Sequence, residues 1–490
     1  MQTKTDASGV RYPTLELLID GEWVGAQGRE TAPVVNPATG QAIGRVPLAS
    51  PADIDRAVRA AQRAFLSWRR ETAITRARLL GKVADAVRAH TDELARILTL
   101  EQGKTLTESV GEITATADTF EWMAEEGKRA YGRTVPSRIP GAEQIVMLEP
   151  VGVVAALSPW NYPAALGARK VATALAAGCT VVLKPAEETP GIWVALAHLC
   201  FEAGLPPGTL NLLYGHPAEV SSRLIAAPEV RKISFTGSVP VGMQLAQQAA
   251  ALLKKTTMEL GGHSPTFVCE DAPIERVAEL AVASKFRNAG QICHSPTRFF
   301  VHERVFDRFA DAFAERAASL RVGNGLAQGV QMGPLANPRR MAAMAALCED
   351  ARKVGAAILT GGEPVVQGEG GNFWRPTVIA RPPAATRALR EEPFGPLALM
   401  VPYADLADAV EQANALDYGL GAFAFTPSLA QAQFLQEHVR AGCLSINTFA
   451  ITPPELPFGG IKHSGLGREM GSEGLLDHFE TKAVIRVAAP

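Results

Sequence analysis

Residues 151–187, VGVVAALSPWNYPAALGARKVATALAAGCTVVLKPAE, place one apolar run on each side of a helical segment. The first run, residues 151–157, is continuously apolar, which is typical of a parallel strand buried on both faces. The helical segment covers residues 170–177, and the second strand covers residues 180–183. Strand, helix and strand in this order predict a parallel unit of an α/β fold.

The alternation of strands and helices continues beyond this unit. It predicts a doubly wound parallel sheet, followed from about residue 259 by a second α/β half. The further strands are expected at residues 210–213, 232–235, 298–301, 397–401 and 483–487, and the further helices at residues 192–203, 305–320, 338–354, 406–415 and 429–439.

The N-terminal segment carries clear local signals. Residues 15–23 form a predicted hairpin, with Asp20-Gly21 as a type I′ turn. Ser50 is the expected N-cap of a first helix, because its hydroxyl can accept a hydrogen bond from the first turn. Apolar residues recur at helical spacing over residues 76–100, which predicts one helical region there.

Polar clusters follow three of the predicted parallel strands. They read SPWNYP at residues 158–163, KPAE at 184–187 and FTGS at 235–238. Ligands of such sheets bind beyond the carboxyl ends of the strands, and a helix starting near Val239 could hold a phosphate. Glu187 could accept hydrogen bonds from a ribose diol, and Lys184 could donate to it. The clusters therefore predict a nucleotide site without a GxGxxG motif.

Cys293 lies in FRNAGQICHSPTR, residues 286–298, between a predicted helix and a predicted strand. A cysteine becomes a nucleophile when its surroundings favour the thiolate or a base takes its proton. Glu259, in MELGG, could be that base or could activate water. Asn161 and the Cys293 backbone N–H could stabilise an oxyanion. The alternatives are a buried, inert cysteine and a solvated surface glutamate.

Composition bounds the class of protein. Of the 490 residues, 47% are hydrophobic and 20% are charged, as in ordinary globular proteins. The net charge of −2 gives no basic surface for binding nucleic acid. The six cysteines form no CxxC pair, which argues against a zinc cluster or a disulfide framework and favours a reducing cytoplasm. Residues 1–12 lack an apolar signal core, and no window is long enough to span a membrane. We therefore expect a cytoplasmic protein without a metal site.

Seven motifs in a fixed order resemble the aldehyde dehydrogenase superfamily over nearly the whole chain. They are SPWNYP, KPAE, FTGS, MELGG, FRNAGQIC, EEPFGP and PFGGIKHSGLGRE. The resemblance implies a Rossmann-type NAD(P)-binding domain from residues 1–130 and 150–259 and a catalytic domain from residues 260–462. It also implies bridging strands in residues 131–149 and 478–490 that join subunits into a homodimer or homotetramer.

The resemblance also implies residue roles, in which Cys293 forms a thiohemiacetal and then a thioester. The catalytic set is Cys293, Glu259, Asn161, Lys170 and Glu469, and the cofactor contacts are Trp160, Lys184, Glu187, Gly237, Ser238, Leu260, Glu392 and Phe394. The implied cofactor is NAD, because the carboxylate of Glu187 repels a 2′-phosphate, although Lys184 would tolerate NADP.

Within the superfamily the chain is similar to bacterial succinate semialdehyde and 2-oxoglutarate semialdehyde dehydrogenases. Arg169 and Arg287 match positions that hold the distal carboxylate of such substrates, and guanidinium groups suit carboxylates. Alternatively, these arginines pin subunits or helix ends. The competing functions are a broad aliphatic or aromatic aldehyde dehydrogenase, a CoA-acylating enzyme and a catalytically silent structural protein.

Neither His294 nor Ser295, which follow the nucleophile, is predicted to take part in the reaction. Adjacent residues on an extended segment point apart, so His294 is predicted to be structural. Ser295 stands where some succinate semialdehyde dehydrogenases carry a second cysteine, so no redox switch is expected.

Overall fold

The computed structural model describes residues 3–5, 9–365 and 370–488. Its strands are Thr3–Thr5 (β1), Arg11–Pro13 (β2), Leu17–Ile19 (β3), Glu22–Val24 (β4), Thr31–Val35 (β5), Ala42–Pro47 (β6), Arg133–Val135 (β7), Ala142–Pro150 (β8), Val153–Leu157 (β9), Thr180–Lys184 (β10), Leu210–Leu212 (β11), Val230–Thr236 (β12), Lys255–Glu259 (β13), Ser264–Val268 (β14), Pro296–His302 (β15), Ala357–Thr360 (β16), Thr377–Ala380 (β17), Leu397–Tyr403 (β18), Gly421–Phe425 (β19), Cys443–Ile446 (β20), Gly465–Leu466 (β21) and Phe479–Val487 (β22). Its α-helices are Pro51–Trp68 (α1), Ala73–Ala89 (α2), Thr91–Gln102 (α3), Leu106–Glu126 (α4), Pro163–Ala177 (α5), Pro190–Glu202 (α6), Pro217–Ala226 (α7), Val239–Ala250 (α8), Ile274–Phe286 (α9), Phe306–Ala318 (α10), Pro338–Lys353 (α11), Leu406–Asn414 (α12), Leu429–His438 (α13) and Gly471–Leu476 (α14).

Two large sheets organise the molecule. In the first, eight strands lie in the order β21-β13-β12-β9-β10-β11-β3-β4, and the five from β13 to β11 are parallel. The second has seven strands in the order β16-β17-β18-β15-β14-β19-β20, all parallel except the β16 edge. Every residue of β9 and β10 is buried, as their apolar runs require. The predicted parallel α/β architecture is confirmed.

A third sheet of three antiparallel strands, β22-β8-β7, lies apart from these two. The C-terminal strand β22 pairs with β8 along nine residues, from Phe479 opposite Pro150 to Val487 opposite Ala142. Large apolar side chains of this sheet stay exposed, among them Met147 and Ile485. The sheet therefore presents an apolar surface that the described chain does not cover.

The local N-terminal predictions are confirmed, with one exception. Asp20 and Gly21 have φ values of 58° and 82°, as a type I′ turn requires, and Ser50 caps α1 through a capping box. The single helical region predicted over residues 76–100 is wrong, because the helix breaks at His90. There φ is −109° and ψ is 18°, and a new helix, α3, begins at Thr91.

Candidate active site

A cavity of about 360 Å³ lies where the turns after β9 and β12 meet the segment that precedes β15. The structure brings together here residues that are remote in the sequence. Nine of the predicted site residues line the cavity: Trp160, Asn161, Gly237, Ser238, Glu259, Leu260, Cys293, Glu392 and Phe394. The other predicted residues, Lys170, Glu469, Lys184, Glu187, Arg169 and Arg287, lie outside this lining.

Hydrogen bonds fix both the side-chain amide and the backbone carbonyl of Asn161. Its side-chain Nδ2 donates to the Gln291 carbonyl at 2.9 Å, which ties it to the cysteine segment. Its backbone carbonyl accepts from Lys104 Nζ at 2.8 Å and from Asn288 Nδ2 at 2.9 Å. The orientation of the Asn161 amide is therefore fixed before any substrate arrives.

A buried ion pair that was not predicted from the sequence contacts Asn161. Lys104 Nζ is 2.5 Å from Glu112 Oε2, and both side chains are fully buried. Glu112 Oε1 also accepts from the backbone N–H groups of Ala164 and Ala165, at the start of α5. The pair thus joins α4 to α5 directly behind Asn161. Nothing in the local sequence distinguishes these two residues from solvated charges.

Cys293 lies on a tight turn. The Ser295 N–H donates to the Ile292 carbonyl at 3.0 Å, and Lys285 Nζ donates to Ser295 Oγ at 3.0 Å. Gly290, three residues before the thiol, has φ of 71°, and a Cβ there would lie 2.2 Å from the Gly395 carbonyl oxygen. Only glycine allows this contact between the cysteine segment and the EEPFGP loop.

Burial raises the pKa of the Cys293 thiol to about 12, and the Arg169 charge opposes this shift. The resting thiol is therefore protonated at neutral pH. The prediction that His294 points away from Cys293 is wrong, because the segment turns here and is not extended. Its Nδ1 lies 3.6 Å from Cys293 Sγ.

Glu259 ends β13 and reaches the same cavity. Neither of its carboxylate oxygens has a hydrogen-bond partner among the described residues, although both are buried. Burial raises the pKa of the carboxyl well above its usual value, and Glu469 adds to this shift, whereas Lys170 and Arg169 lower it. An unpartnered buried carboxyl at the cavity wall has its oxygens available for water or substrate.

Lys170 and Glu469 lie together behind Glu259. Lys170 Nζ is 2.5 Å from Glu469 Oε1 and donates to Ser234 Oγ at 3.1 Å. Glu469 Oε2 is buried and has no partner among the described residues. These groups are buried polar neighbours of Glu259 and influence its charge.

The cavity wall near α8 suits a dinucleotide. Thr236 Oγ1 is buried without a partner in the described structure, and Ser238 caps α8 without a side-chain hydrogen bond. The free N–H groups and positive end of α8 therefore face the cavity, as phosphate binding requires. After β10, Lys184 Nζ lies 2.5 Å from Glu187 Oε1, which also accepts from the Gly215 N–H at 3.0 Å.

Glu392 also lines the cavity. Its Oε1 accepts from the Gly262 N–H at 3.1 Å, and burial raises its pKa to about 7. The ring of Phe394 meets Trp160 edge to face, with 5.6 Å between the ring centroids. Together with the α8 wall, these groups fit a nucleotide with a ribose and a flat ring.

Three further lining residues, at the start of α11, were not predicted from the sequence: Asn337, Arg339 and Arg340. Arg340 donates to the Pro393 carbonyl, and its guanidinium lies 5.7 Å from the centre of the Phe394 ring. The signal that could have found them is the N-cap pattern Asn337-Pro338, which places a helix start at the cavity.

The two arginines predicted to hold a substrate carboxylate, Arg169 and Arg287, lie outside the cavity lining. The Arg169 guanidinium lies 5.1 Å from the centre of the Phe458 ring, and Arg287 is exposed where α9 ends. The Arg169 guanidinium and the His294 ring both pack against Phe458, and the charges of both arginines lower the pKa of His294. Within the described structure, neither has a carboxylate within 4.0 Å.

The model of the aldehyde dehydrogenase family matches residues 23–484. The chain belongs to the aldehyde dehydrogenase family. It is therefore an NAD(P)-dependent oxidoreductase that acts on aldehydes, and the predicted aldehyde dehydrogenase fold is confirmed.

Three relatives illustrate the range of this family. A putative 4-(hydroxymethyl)benzenesulfonate dehydrogenase of Comamonas testosteroni is 47% identical, covering 98% of this chain and 100% of the relative. A succinate-semialdehyde dehydrogenase (NADP(+)) of Escherichia coli is 44% identical, covering 95% of this chain and 96% of the relative. The crystal structure of betaine aldehyde dehydrogenase from Staphylococcus aureus in complex with NAD+ is 34% identical, with a TM-score of 0.94 over 97% of this chain and 95% of that one.

The described residues contain neither a membrane-spanning helix nor a candidate metal cluster. No helix in this part of the chain is both long and apolar enough to cross a membrane. No cluster of three or more His, Cys, Asp or Glu side chains that could hold a metal ion occurs there either.

Proposed function

We propose that the protein oxidises a short semialdehyde, such as succinate semialdehyde or 2-oxoglutarate semialdehyde, to the dicarboxylic acid. The observation that carries this proposal is the pair Arg169 and Arg287, two arginines without a carboxylate partner in the described structure, next to the Cys293 turn. Unpaired guanidinium groups beside a reactive thiol suit a substrate that has an aldehyde at one end and a carboxylate at the other. The 44% identical Escherichia coli relative, named a succinate-semialdehyde dehydrogenase, supports the same class.

In the proposed mechanism Cys293 Sγ attacks the aldehyde carbon. The oxygen then carries negative charge, which the Asn161 Nδ2 and the Cys293 backbone N–H stabilise. The contacts that fix Asn161 to Gln291 and Lys104 mean that this donor does not have to reorganise during the reaction. The product of the attack is a thiohemiacetal on Cys293.

NAD(P), when bound, supplies the acceptor for the hydride of the former aldehyde carbon. The residues proposed to hold it are Trp160, Gly237, Ser238, Leu260, Glu392 and Phe394 in the cavity and Lys184 and Glu187 beyond it. Because Glu187 carries a negative charge, we propose a preference for NAD. Its ion pair with Lys184 reduces that charge, so NADP should also be accepted.

The remaining thioester is proposed to be hydrolysed with Glu259 as the base. Its oxygens have no other partner in the described structure, so they are available to accept a proton from water. Lys170 and Glu469 are proposed to pass that proton away from Glu259, since Lys170, Ser234 and Glu469 are hydrogen-bonded to one another.

Replacing both Arg169 and Arg287 by Ala tests the substrate class. We expect kcat/KM for succinate semialdehyde to fall by about 100-fold, because two charge-assisted contacts are lost. The value for butanal, which has no carboxylate, should fall by no more than about tenfold, because butanal loses only the effect of the Arg169 charge on the pKa values of Cys293 and Glu259. Steady-state kinetics with both substrates measures this.

The matched control is Arg96→Ala, an exposed arginine on α3. It should affect neither substrate. An equal loss for both substrates in the double variant would contradict the carboxylate assignment and favour a broad-specificity aldehyde dehydrogenase.

A second candidate is an aldehyde that carries a sulfonate in place of the carboxylate. The 47% identical relative named for 4-(hydroxymethyl)benzenesulfonate favours it, and guanidinium groups bind sulfonates as well. The ring of Phe458 beside Arg169 would suit an aromatic substrate. A panel of succinate, glutarate and 2-oxoglutarate semialdehydes and 4-formylbenzenesulfonate, each with NAD and NADP, separates the candidates by kcat/KM.

The three-stranded sheet is proposed to bridge subunits of a homodimer or homotetramer. We propose that residues 131–149 and 478–490 form this bridge, residues 1–130 and 150–259 the NAD(P)-binding domain and residues 260–462 the catalytic domain. The last residue of β8, Pro150, also belongs to the three-stranded sheet. Ile485, on β22, is 59% exposed, so an interface would remove much apolar surface from water.

The six cysteines are all free, and a reducing, cytoplasmic location stays a prediction.

Replacing Ile485 by Asp should weaken this assembly, because a charge would be buried in the proposed interface. We expect the particle mass from light scattering to drop toward that of one chain as the protein is diluted. Leu66→Asp changes an exposed leucine on α1 and serves as the control. An Ile485→Asp variant with the same mass as the wild type would contradict the proposed interface.

A further inference from the structure

The side chain of His294 makes close contact with the proposed nucleophile. Its Nδ1 lies 3.6 Å from Cys293 Sγ. The ring meets Phe458 nearly edge to face, with 5.7 Å between the centroids, and a Cβ on Gly421 would lie 3.2 Å from the His294 Cβ. Phe458 thus packs against the ring, and Gly421 leaves little room for a larger side chain beside the His294 Cβ.

His294 is neutral at neutral pH. Burial lowers its pKa well below the usual value, and the two cations that face it, Arg287 and Arg169, lower it further. A neutral imidazole has one nitrogen with a free lone pair. When the proton is on Nε2, the free lone pair is on Nδ1, the atom that faces the sulfur.

Glu259 is less well placed to take the thiol proton. The described structure contains no hydrogen bond between its carboxylate and Cys293 Sγ, and its nearest charged neighbours include Glu469 and Lys170 behind it. Two proton transfers are needed in the proposed reaction, one from the thiol and one from water. The structure offers a different acceptor for each.

We propose that His294 accepts the proton of Cys293 during attack on the aldehyde, and that Glu259 acts only on the hydrolytic water. This inference rests on the proposed function of Cys293. In the step, the S–H bond breaks and an Nδ1–H bond forms only as sulfur bonds to the aldehyde carbon, because the raised pKa of Cys293 and the lowered pKa of His294 rule out transfer from the resting thiol. The π electrons of the carbonyl move to its oxygen, which Asn161 holds. The imidazolium then loses its proton to solvent, which its partly exposed ring can reach.

The test is the rate at which iodoacetamide alkylates Cys293, which needs neither substrate nor cofactor. In His294→Asn, which keeps a polar group near the sulfur but cannot take a proton, we expect a loss of about 100-fold at neutral pH. The burst of NAD(P)H should slow equally, with the rate of thioester hydrolysis unchanged. In His294→Ala, added imidazole should restore alkylation, a result that a purely structural role would not give. His216→Asn, an exposed histidine, is the control.

The outcomes separate this inference from the proposed function. Two results would overturn the inference and leave Cys293 as the nucleophile. One is alkylation of His294→Asn at the wild-type rate. The other is slow alkylation of His294→Ala that added imidazole does not restore. Both variants should have the melting temperature of the wild type. If one of them is less stable, His294→Gln is measured in its place. A Cys293→Ser variant with a normal burst would overturn the proposed function itself.

Discussion

Replacing Cys293 by Ser should lower aldehyde oxidation by at least about 10⁴-fold, because removal of a covalent nucleophile eliminates the intermediate through which the reaction proceeds. Binding of NAD(P) should be unchanged, since the α8 wall of the cavity is not altered. Steady-state kinetics and a fluorescence titration of the cofactor measure the two effects. Serine is the sharpest replacement, because it keeps the size of the side chain but is a much weaker nucleophile at neutral pH.

Cys443→Ser provides the matched control for this variant, because Cys443 is also partly exposed and free. It should retain most of the activity. Two results would contradict the assignment. A Cys293→Ser variant that still turns over aldehyde would place the nucleophile elsewhere. A wild-type thiol that does not react, together with no cofactor binding, would favour a catalytically silent structural protein.

The parts of the fold that could be predicted are those in which the local sequence and the final environment agree. The strands β9 and β10 are apolar throughout because both faces are covered, and Asp20-Gly21 can adopt the positive φ values that the hairpin needs. The break at His90 could not be predicted, because the apolar spacing continues through it. There the packing of α2 and α3 against α4 decides the geometry.

The candidate site shows a similar limit. Motifs identified the residues whose chemistry is local, such as Cys293 and the turn around Asn161. They did not identify Lys104 and Glu112, whose role depends on burial behind Asn161, a property of the tertiary structure. They misplaced His294, because one hydrogen bond from Ser295 to Ile292 turns a segment that was expected to be extended.

Replacing Glu259 by Gln should slow hydrolysis of the thioester but not its formation. The first turnover, seen as a burst of NAD(P)H, should persist, because attack by Cys293 does not need this carboxylate. The steady-state rate should fall by about 10³-fold, because water is no longer deprotonated as it attacks the thioester. Intact-protein mass spectrometry should show the acyl group accumulating on Cys293. Glu303→Gln, an exposed glutamate, is the control and should hydrolyse normally.

The role of Glu259 as a base also predicts the direction in which the rate of thioester hydrolysis changes with pH. Burial and the neighbouring Glu469 raise the pKa of Glu259, so at low pH its carboxyl is protonated and cannot accept a proton. Thioester hydrolysis in the wild type should therefore increase as the pH rises through this raised pKa and then level off, whereas Glu259→Gln should lack this increase. Lys170→Met should move the rise to higher pH, because the Lys170 charge lowers the pKa of Glu259. A burst lost together with turnover in Glu259→Gln, or wild-type turnover that requires added coenzyme A, would contradict hydrolysis by Glu259.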